Sequence, residues 1–167
     1  GIPSNTSKAE YDSKKRFVTK QINSINHAVE MMYNDAYGNV LTGKDQNNLI
    51  TGYAYDGFGR IKETTSSTNK KVTVNRTWEI GTIDNSVYAI STSLPGTPAT
   101  KEFYDVLGRV LQTETQGFDG STIFVKKTYN DLGQLVTESE PNDNSLVTLY
   151  DYEPDFKRLS KVTLPGN

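Results

Sequence analysis

Acidic, aromatic and basic side chains recur along this chain at fixed offsets. Tyr55-Asp56-Gly57-Phe58-Gly59-Arg60 and Tyr104-Asp105-Val106-Leu107-Gly108-Arg109 are two intact copies of Tyr-Asp-x-x-Gly-Arg. Their chemistry is that of a turn. An Asp accepts hydrogen bonds from backbone N–H groups a few residues on, Gly takes the left-handed backbone that a Cβ resists, and Arg reaches the Asp or a carbonyl of the adjacent turn. The Tyr ring is free to lie on a sheet and stack on the Tyr of the next copy. Tyr129-Asn130-Asp131-Leu132-Gly133-Gln134 is a third copy that keeps Tyr129 and Gly133.

Catalytic chemistry finds weaker support. A glycoside hydrolase needs two carboxylates about 5–10 Å apart. Glu102 with Asp105, and Asp143 with Asp151, are the pairs closest in sequence. Asp105 reads instead as a turn former and Asp143 as a loop residue. His27 is the only histidine, so a Ser-His-Asp triad would have to use it; no Ser has nucleophile-elbow surroundings, and His27 reads as an ordinary strand residue. The acidic turns Asp84-Asn85 and Asp143-Asn144 are too sparse for a calcium loop. Cysteine is absent, which excludes disulfides and Cys-based zinc sites. No metal and no cofactor is expected. Trp78, Tyr88 and Phe118 fall outside the regular pattern and are the aromatic candidates for stacking on sugar rings.

The elements that position these residues follow from a period. Lead aromatics stand at Tyr11, Tyr33, Tyr55, Trp78, Tyr104, Tyr129 and Tyr152, at steps of 22, 22, 23, 26, 25 and 23 residues. Such a period defines a tandem array. Arrays are built from units that cannot bury a face alone, and they make surfaces more often than active sites. In one unit, residues 56–59 form a turn, 60–65 a strand, 66–69 a second turn and 71–78 the alternating return strand. The next units repeat this with strands at 109–115 and 122–129, then 135–139 and 146–152, and residues 156–162 begin a last, truncated unit. Residues 79–100 are irregular, with strand at Val87-Tyr88-Ala89-Ile90 and a turn at Leu94-Pro95-Gly96-Thr97-Pro98. Residues 22–32 have helix-compatible spacing, but the period places a strand there. The turns after Tyr33 and Tyr152 carry one extra residue each. Lys15 and Lys157 replace Gly, so those two turns are expected to be strained or of another type; Asn130 replaces Asp, and Asn39 and Gln134 replace Arg.

Composition agrees with an all-β array. Apolar residues make up 34% of the 167, against about 45–50% in globular chains when Gly is included. Thr, Ser, Asn and ten Tyr suit pleated, half-exposed strands with a thin core; with six Phe and one Trp they argue against disorder. Net charge is −2 with pI ≈ 5.5, and no basic stripe suggests nucleic acid. No run of about 18 apolar residues predicts a membrane span. No signal peptide is visible, and Gly1 reads as an appended residue. The first and last strands of an open array expose unpaired backbone, so self-association through these edges is expected, or their closure by the irregular segments.

The pattern resembles the YD repeat of the RHS family, which includes bacterial Rhs proteins, shell components of insecticidal toxin complexes and the extracellular portion of teneurins. The residues that carry the resemblance are 55–60, 104–109 and 129–134, with Gly117-Phe118-Asp119-Gly120 before Ile123-Phe124-Val125, and Tyr152-Glu153-Pro154-Asp155-Phe156-Lys157-Arg158. It extends over essentially the whole chain, residues 1–167 forming one array of about seven units. The resemblance implies tandem antiparallel hairpins in one continuous, twisted or spiralling sheet, a piece of a hollow β-shell. It implies a structural, non-enzymatic role outside a bacterial cell or at its surface, with the rest of the same polypeptide and a C-terminal cargo domain as partners, and glycans as a second class of partner. The family's autoproteolytic region has no match here. The remaining readings are a carbohydrate-binding module and, last, a small glycoside hydrolase.

Overall fold

A computed structural model describes residues 6–166; Gly1 lies outside the described residues. They form fourteen strands and no helix. The chain divides into two compact units, Gly1–Val74 and Asn75–Asn167. The first holds β1 (Lys8–Tyr11), β2 (Val18–Ile22), β3 (Ala28–Tyr33), β4 (Val40–Lys44), β5 (Ile50–Tyr55) and β6 (Ile61–Thr65). β7 (Lys71–Trp78) runs across the boundary. The second holds β8 (Tyr88–Ser93), β9 (Thr100–Tyr104), β10 (Val110–Gln116), β11 (Thr122–Tyr129), β12 (Leu135–Glu140), β13 (Asp143–Tyr152) and β14 (Leu159–Thr163). Hydrogen-bonded neighbours follow chain order, and the ladders are antiparallel. The helix-compatible stretch 22–32 is the end of β2, a turn and most of β3.

Each lead aromatic ends an odd-numbered strand. Beside each lead Tyr the register slips by one residue, as in Ala54↔Glu63 followed by Tyr55↔Ile61 and Phe103↔Gln112 followed by Tyr104↔Val110. The slip is the bulge of a three-residue hairpin loop, a tight turn closed by one left-handed residue. Gly59 (φ 77°) and Gly108 (φ 77°) are those residues in the intact motifs. Lys15 (φ 56°) and Lys157 (φ 57°) adopt the same left-handed backbone, so the strain anticipated there is present; it costs about 1–2 kcal/mol per residue. The return turns use Asn instead. Asn26, Asn48 and Asn69 close turns 23–26, 45–48 and 66–69 with φ of 62°, 62° and 59°, a conformation Asn tolerates better than other side chains with a Cβ. His27 follows such a turn, just before β3, and its N–H donates to Asn23 Oδ1 at 2.9 Å; it does not lie in a strand.

The core is thinner than expected. Among the described residues the only buried apolar side chains are Ala89 and Phe103, cross-strand partners on β8 and β9. Among the described residues neither unit contains a second layer of strands or helices. The best-buried place in the chain thus adjoins the segment where the repeat is least regular.

Cross-strand charges fix register. Glu10, Lys20, Glu30 and Lys44 stand opposite one another across β1 to β4. Glu30 meets Lys20 at 3.5 Å and Lys44 at 3.4 Å, and its hydrogen bond from Lys44 holds its carboxyl below the usual range. A slip of one residue would turn this row onto the other face.

Candidate functional site

The repeated site is the motif turn. In 56–60, Asp56 Oδ1 accepts from the N–H groups of Phe58 and Arg60, both at 2.9 Å, and Oδ2 accepts from Arg60 Nε at 2.8 Å. In 105–109, Asp105 repeats the set with Leu107 N and Arg109 N at 2.9 Å and Arg109 Nε at 2.6 Å. The backbone N–H of Arg60 is the main reason the Asp56 carboxyl lies below its ordinary value. Asp105 is buried. Burial raises its pKa, but the hydrogen bonds and charge of Arg109 outweigh this and leave it lowered. The carboxylates are held ionised and fully engaged, which is turn chemistry rather than acid–base chemistry.

Substitutions in the motif are matched in pairs. Asn130 Oδ1 receives Leu132 N (3.0 Å) and Gln134 N (2.9 Å), while Asn130 Nδ2 donates to Gln134 Oε1 at 2.9 Å. An amide pair thus replaces the ion pair. After Tyr152 the turn is one residue longer, closing from Glu153 N to Arg158 O. The longer Glu153 spans it and meets Arg158 Nε at 2.9 Å.

Two bonds tie one unit to the next. The lead Tyr hydroxyl reaches back over the preceding strand to the carbonyl of that strand's first residue: Tyr33 to Val18 (3.0 Å), Tyr55 to Val40 (2.8 Å), Tyr129 to Val110 (2.8 Å) and Tyr152 to Leu135 (2.9 Å). The last motif residue reaches forward to a carbonyl of the next turn: Arg16 to Asp35 (3.3 Å), Arg109 to Asn130 (3.5 Å) and Gln134 to Lys157 (2.6 Å). The expected stacking of each lead ring on the next does not occur. Lead strands alternate with partner strands, which sets lead rings about 9–10 Å apart, too far to stack. The stacked pairs are Phe17 with Tyr33 and Tyr88 with Tyr104, each 4.9 Å between centroids.

Tyr104 departs from the ladder. The preceding strand begins with Tyr88, and that ring stacks on Tyr104. The Tyr104 hydroxyl donates to Glu102 at 2.7 Å instead, and burial together with Glu102 pushes its pKa up to about 12. The loop after Trp78 is wide. Glu79 stands in the Asp position and takes Lys101 Nζ at 2.8 Å and Thr82 Oγ1 at 3.0 Å. Buried Ser86 closes the loop onto the Glu79 carbonyl. In sequence Glu79 is visible as the acid after Trp78 in a copy that lacks Arg, and Ser86 carries no signal.

The hydrolase pairs are occupied otherwise: Glu102 by Tyr104, Asp105 by its turn and Asp143 by Ser145. No group of three His, Asp or Glu among the described residues is placed to hold a metal. Of the sugar candidates, Trp78 is exposed at the end of β7, Phe118 is exposed in the turn between β10 and β11, and Tyr88 has one ring face covered by Tyr104. They form no common platform. The motif turns carry a row of exposed apolar side chains that the motif left as "x": Leu107, Leu132 and Phe156 in the second unit, Tyr37 and Phe58 in the first.

These features define, in each of the two compact units, a single-layer antiparallel sheet of tandem hairpins whose repeats are tied together at one end of the strands. The same fold occurs within far longer chains. In the Photorhabdus luminescens Tc holotoxin pore carrying the TccC3-D651A mutation, the match has a TM-score of 0.56 and 13% identity and covers 93% of this chain. In TcdB2-TccC3-Cdc42 it has a TM-score of 0.51 and 14% identity, again over 93% of this chain. This chain spans about a tenth (10%) of the length of each. No protein-family model and no curated protein sequence matches it.

Proposed function

We propose that residues 1–167 are one stretch of a YD-repeat wall, a non-enzymatic segment of a larger bacterial polypeptide that acts outside the cell or at its surface. Its work is mechanical. Hairpins pair edge to edge, and the continuous sheet encloses or presents another part of the same polypeptide, such as a C-terminal cargo domain. The observation that carries this reading is the single layer: only Ala89 and Phe103 are buried apolar side chains among the described residues, where a self-standing domain packs two layers around a core. The similarity in fold to stretches of toxin-complex chains supports it. The direct test is the parent reading frame. Many further YD units flanking this segment and a distinct C-terminal domain are expected; a gene encoding this stretch alone would overturn the reading.

Glycan binding is the second reading, favoured by the exposure of Trp78 and Phe118. It requires glycan-array binding that is lost in Trp78→Ala, and flat curves across broad glycan sets would remove it.

A further inference from the structure

Asn39 occupies the motif position that holds Arg16 and Arg109 in other turns. Both reach the following turn beside an aromatic ring, whereas Arg60, in the same position, lies 5.1 Å over Phe58 of its own turn. Arg16 lies 4.8 Å over the Phe17 ring and meets Asp35 Oδ1 at 2.8 Å. Arg109 lies 5.0 Å over the Tyr129 ring, the lead ring of the next unit, and reaches the Asn130 carbonyl. A guanidinium thus bridges two successive turns across an aromatic face.

At position 39 the short amide leaves that place unfilled. A cleft of ≈730 Å³ lies there, lined by Asn34, Tyr37, Asn39, Tyr55, Asp56 and Phe58 among others. Tyr55 is the counterpart of Tyr129, and among the described residues its ring carries neither a stacked ring nor a cation. No side-chain hydrogen bond of Asn39 occurs among the described residues. Asp56 lines the cleft with its carboxylate already held by the N–H groups of Phe58 and Arg60 and by Arg60 Nε, and it adds a backbone carbonyl equivalent to that of Asn130. Tyr37 and Phe58 project at the rim, 81% and 86% exposed, where they would flank an aliphatic stem.

We propose that this cleft receives, from a partner polypeptide, the arginine side chain that the repeat does not supply itself. The guanidinium stacks on Tyr55 and donates to the turn at Asp56, and Tyr37 and Phe58 hold the stem. Arginine is preferred to lysine because a planar fork both stacks and bridges two acceptors, whereas an ammonium is a point charge. The site is independent of whether the array forms a wall.

The test is an NMR titration of the full 167-residue chain with N-acetyl-arginine methylamide, with N-acetyl-lysine methylamide and methyl glucoside in parallel. Saturable shifts at Asn39, Tyr55 and Asp56 are expected for the arginine probe, with a dissociation constant in the millimolar range and about five-fold or more tighter than for lysine, the ratio that about 1 kcal/mol of stacking gives. Asn39→Arg should abolish the binding by placing the chain's own guanidinium over Tyr55. Tyr37→Ala, at an exposed rim position, should weaken it without unfolding the chain, and serves if Asn39→Arg does not fold. Equal affinity for the two cations, saturation by the glucoside alone, absence of saturable shifts, or binding unchanged in both variants would overturn the proposal.

Discussion

Replacing Asp105 by Asn and Arg109 by Gln, singly and together, tests whether the motif turn works as a matched pair. Asp105→Asn keeps an oxygen for the N–H groups of Leu107 and Arg109 but loses the 2.6 Å charged bond to Arg109 Nε. Bonds to charged groups contribute about 1.5–3 kcal/mol; Arg109 is partly exposed, so the low end, about 1.5 kcal/mol, applies. Arg109→Gln loses the same bond and the stacking on Tyr129, which together contribute about 2 kcal/mol. Independent losses would sum to about 3.5 kcal/mol. The double variant, however, recreates the amide pair that Asn130 and Gln134 already form at 2.9 Å. It should cost only about 1.5 kcal/mol, a coupling of about 2 kcal/mol, within the range for residues in contact. Urea unfolding followed by circular dichroism measures this, with hydrogen exchange at the Leu107 and Arg109 amides as a local probe, since repeat arrays need not unfold in one step. Each single variant should lower Tm by roughly 3–8 °C. Single losses that add to within about 0.3 kcal/mol in the double variant would refute the matched-pair account.

Lys15→Gly should raise stability by up to about 1 kcal/mol, because the left-handed φ of 56° no longer strains a Cβ; a Lys15→Gly chain less stable than the parent in urea would contradict this. Acid should destabilise the chain. The carboxyls of Asp12, Asp56, Asp105, Glu30, Glu63 and Glu79 are all lowered on folding, so their contribution is full above their unfolded values, about 4, and is lost as pH falls through the lower folded ones. A urea midpoint that stays flat from pH 6 to pH 2 would count against it. At the alkaline end, Tyr104 titrates near 10 when unfolded and at about 12 when folded, so its contribution is intact below pH 10 and lost between pH 10 and about 12; Tyr104→Phe should flatten that limb, and an unchanged limb would remove the assignment. Among the described residues β1 pairs only with β2 and β14 only with β13, and no irregular segment covers either in the pairing order. Light scattering should therefore show mass rising with concentration; a monomer throughout would contradict edge pairing.

Much of the fold was legible because the turns are local. Asp56 with Gly59 and Asp105 with Gly108 close their loops with hydrogen bonds inside five residues, so a short motif contains the whole cause. The return strands 71–78 and 122–129 coincide with β7 and β11 because β-branched and aromatic residues fill them between turn residues. Distances across strands were not legible. A ring every 23 residues or so suggests a stack, yet the intervening strand separates the rings, and the hydroxyls of Tyr33, Tyr55, Tyr129 and Tyr152 go to carbonyls instead. The loop after Trp78 was legible only as an interruption, since Glu79, Ser86 and Lys101 meet through the fold and not along the chain. The cleft beside Asn39 was visible in sequence as a departure from Arg; its size and its aromatic wall depend on where Tyr37, Tyr55 and Phe58 come together.

The most direct test of the wall account is a cryo-EM map of the polypeptide encoded by the parent reading frame. The account predicts further antiparallel strands hydrogen-bonded to the outer edges of β1 and β14, with each new lead Tyr hydroxyl on the first carbonyl of the strand before it. Solvent at both edges, with no YD unit beyond either strand, would contradict it.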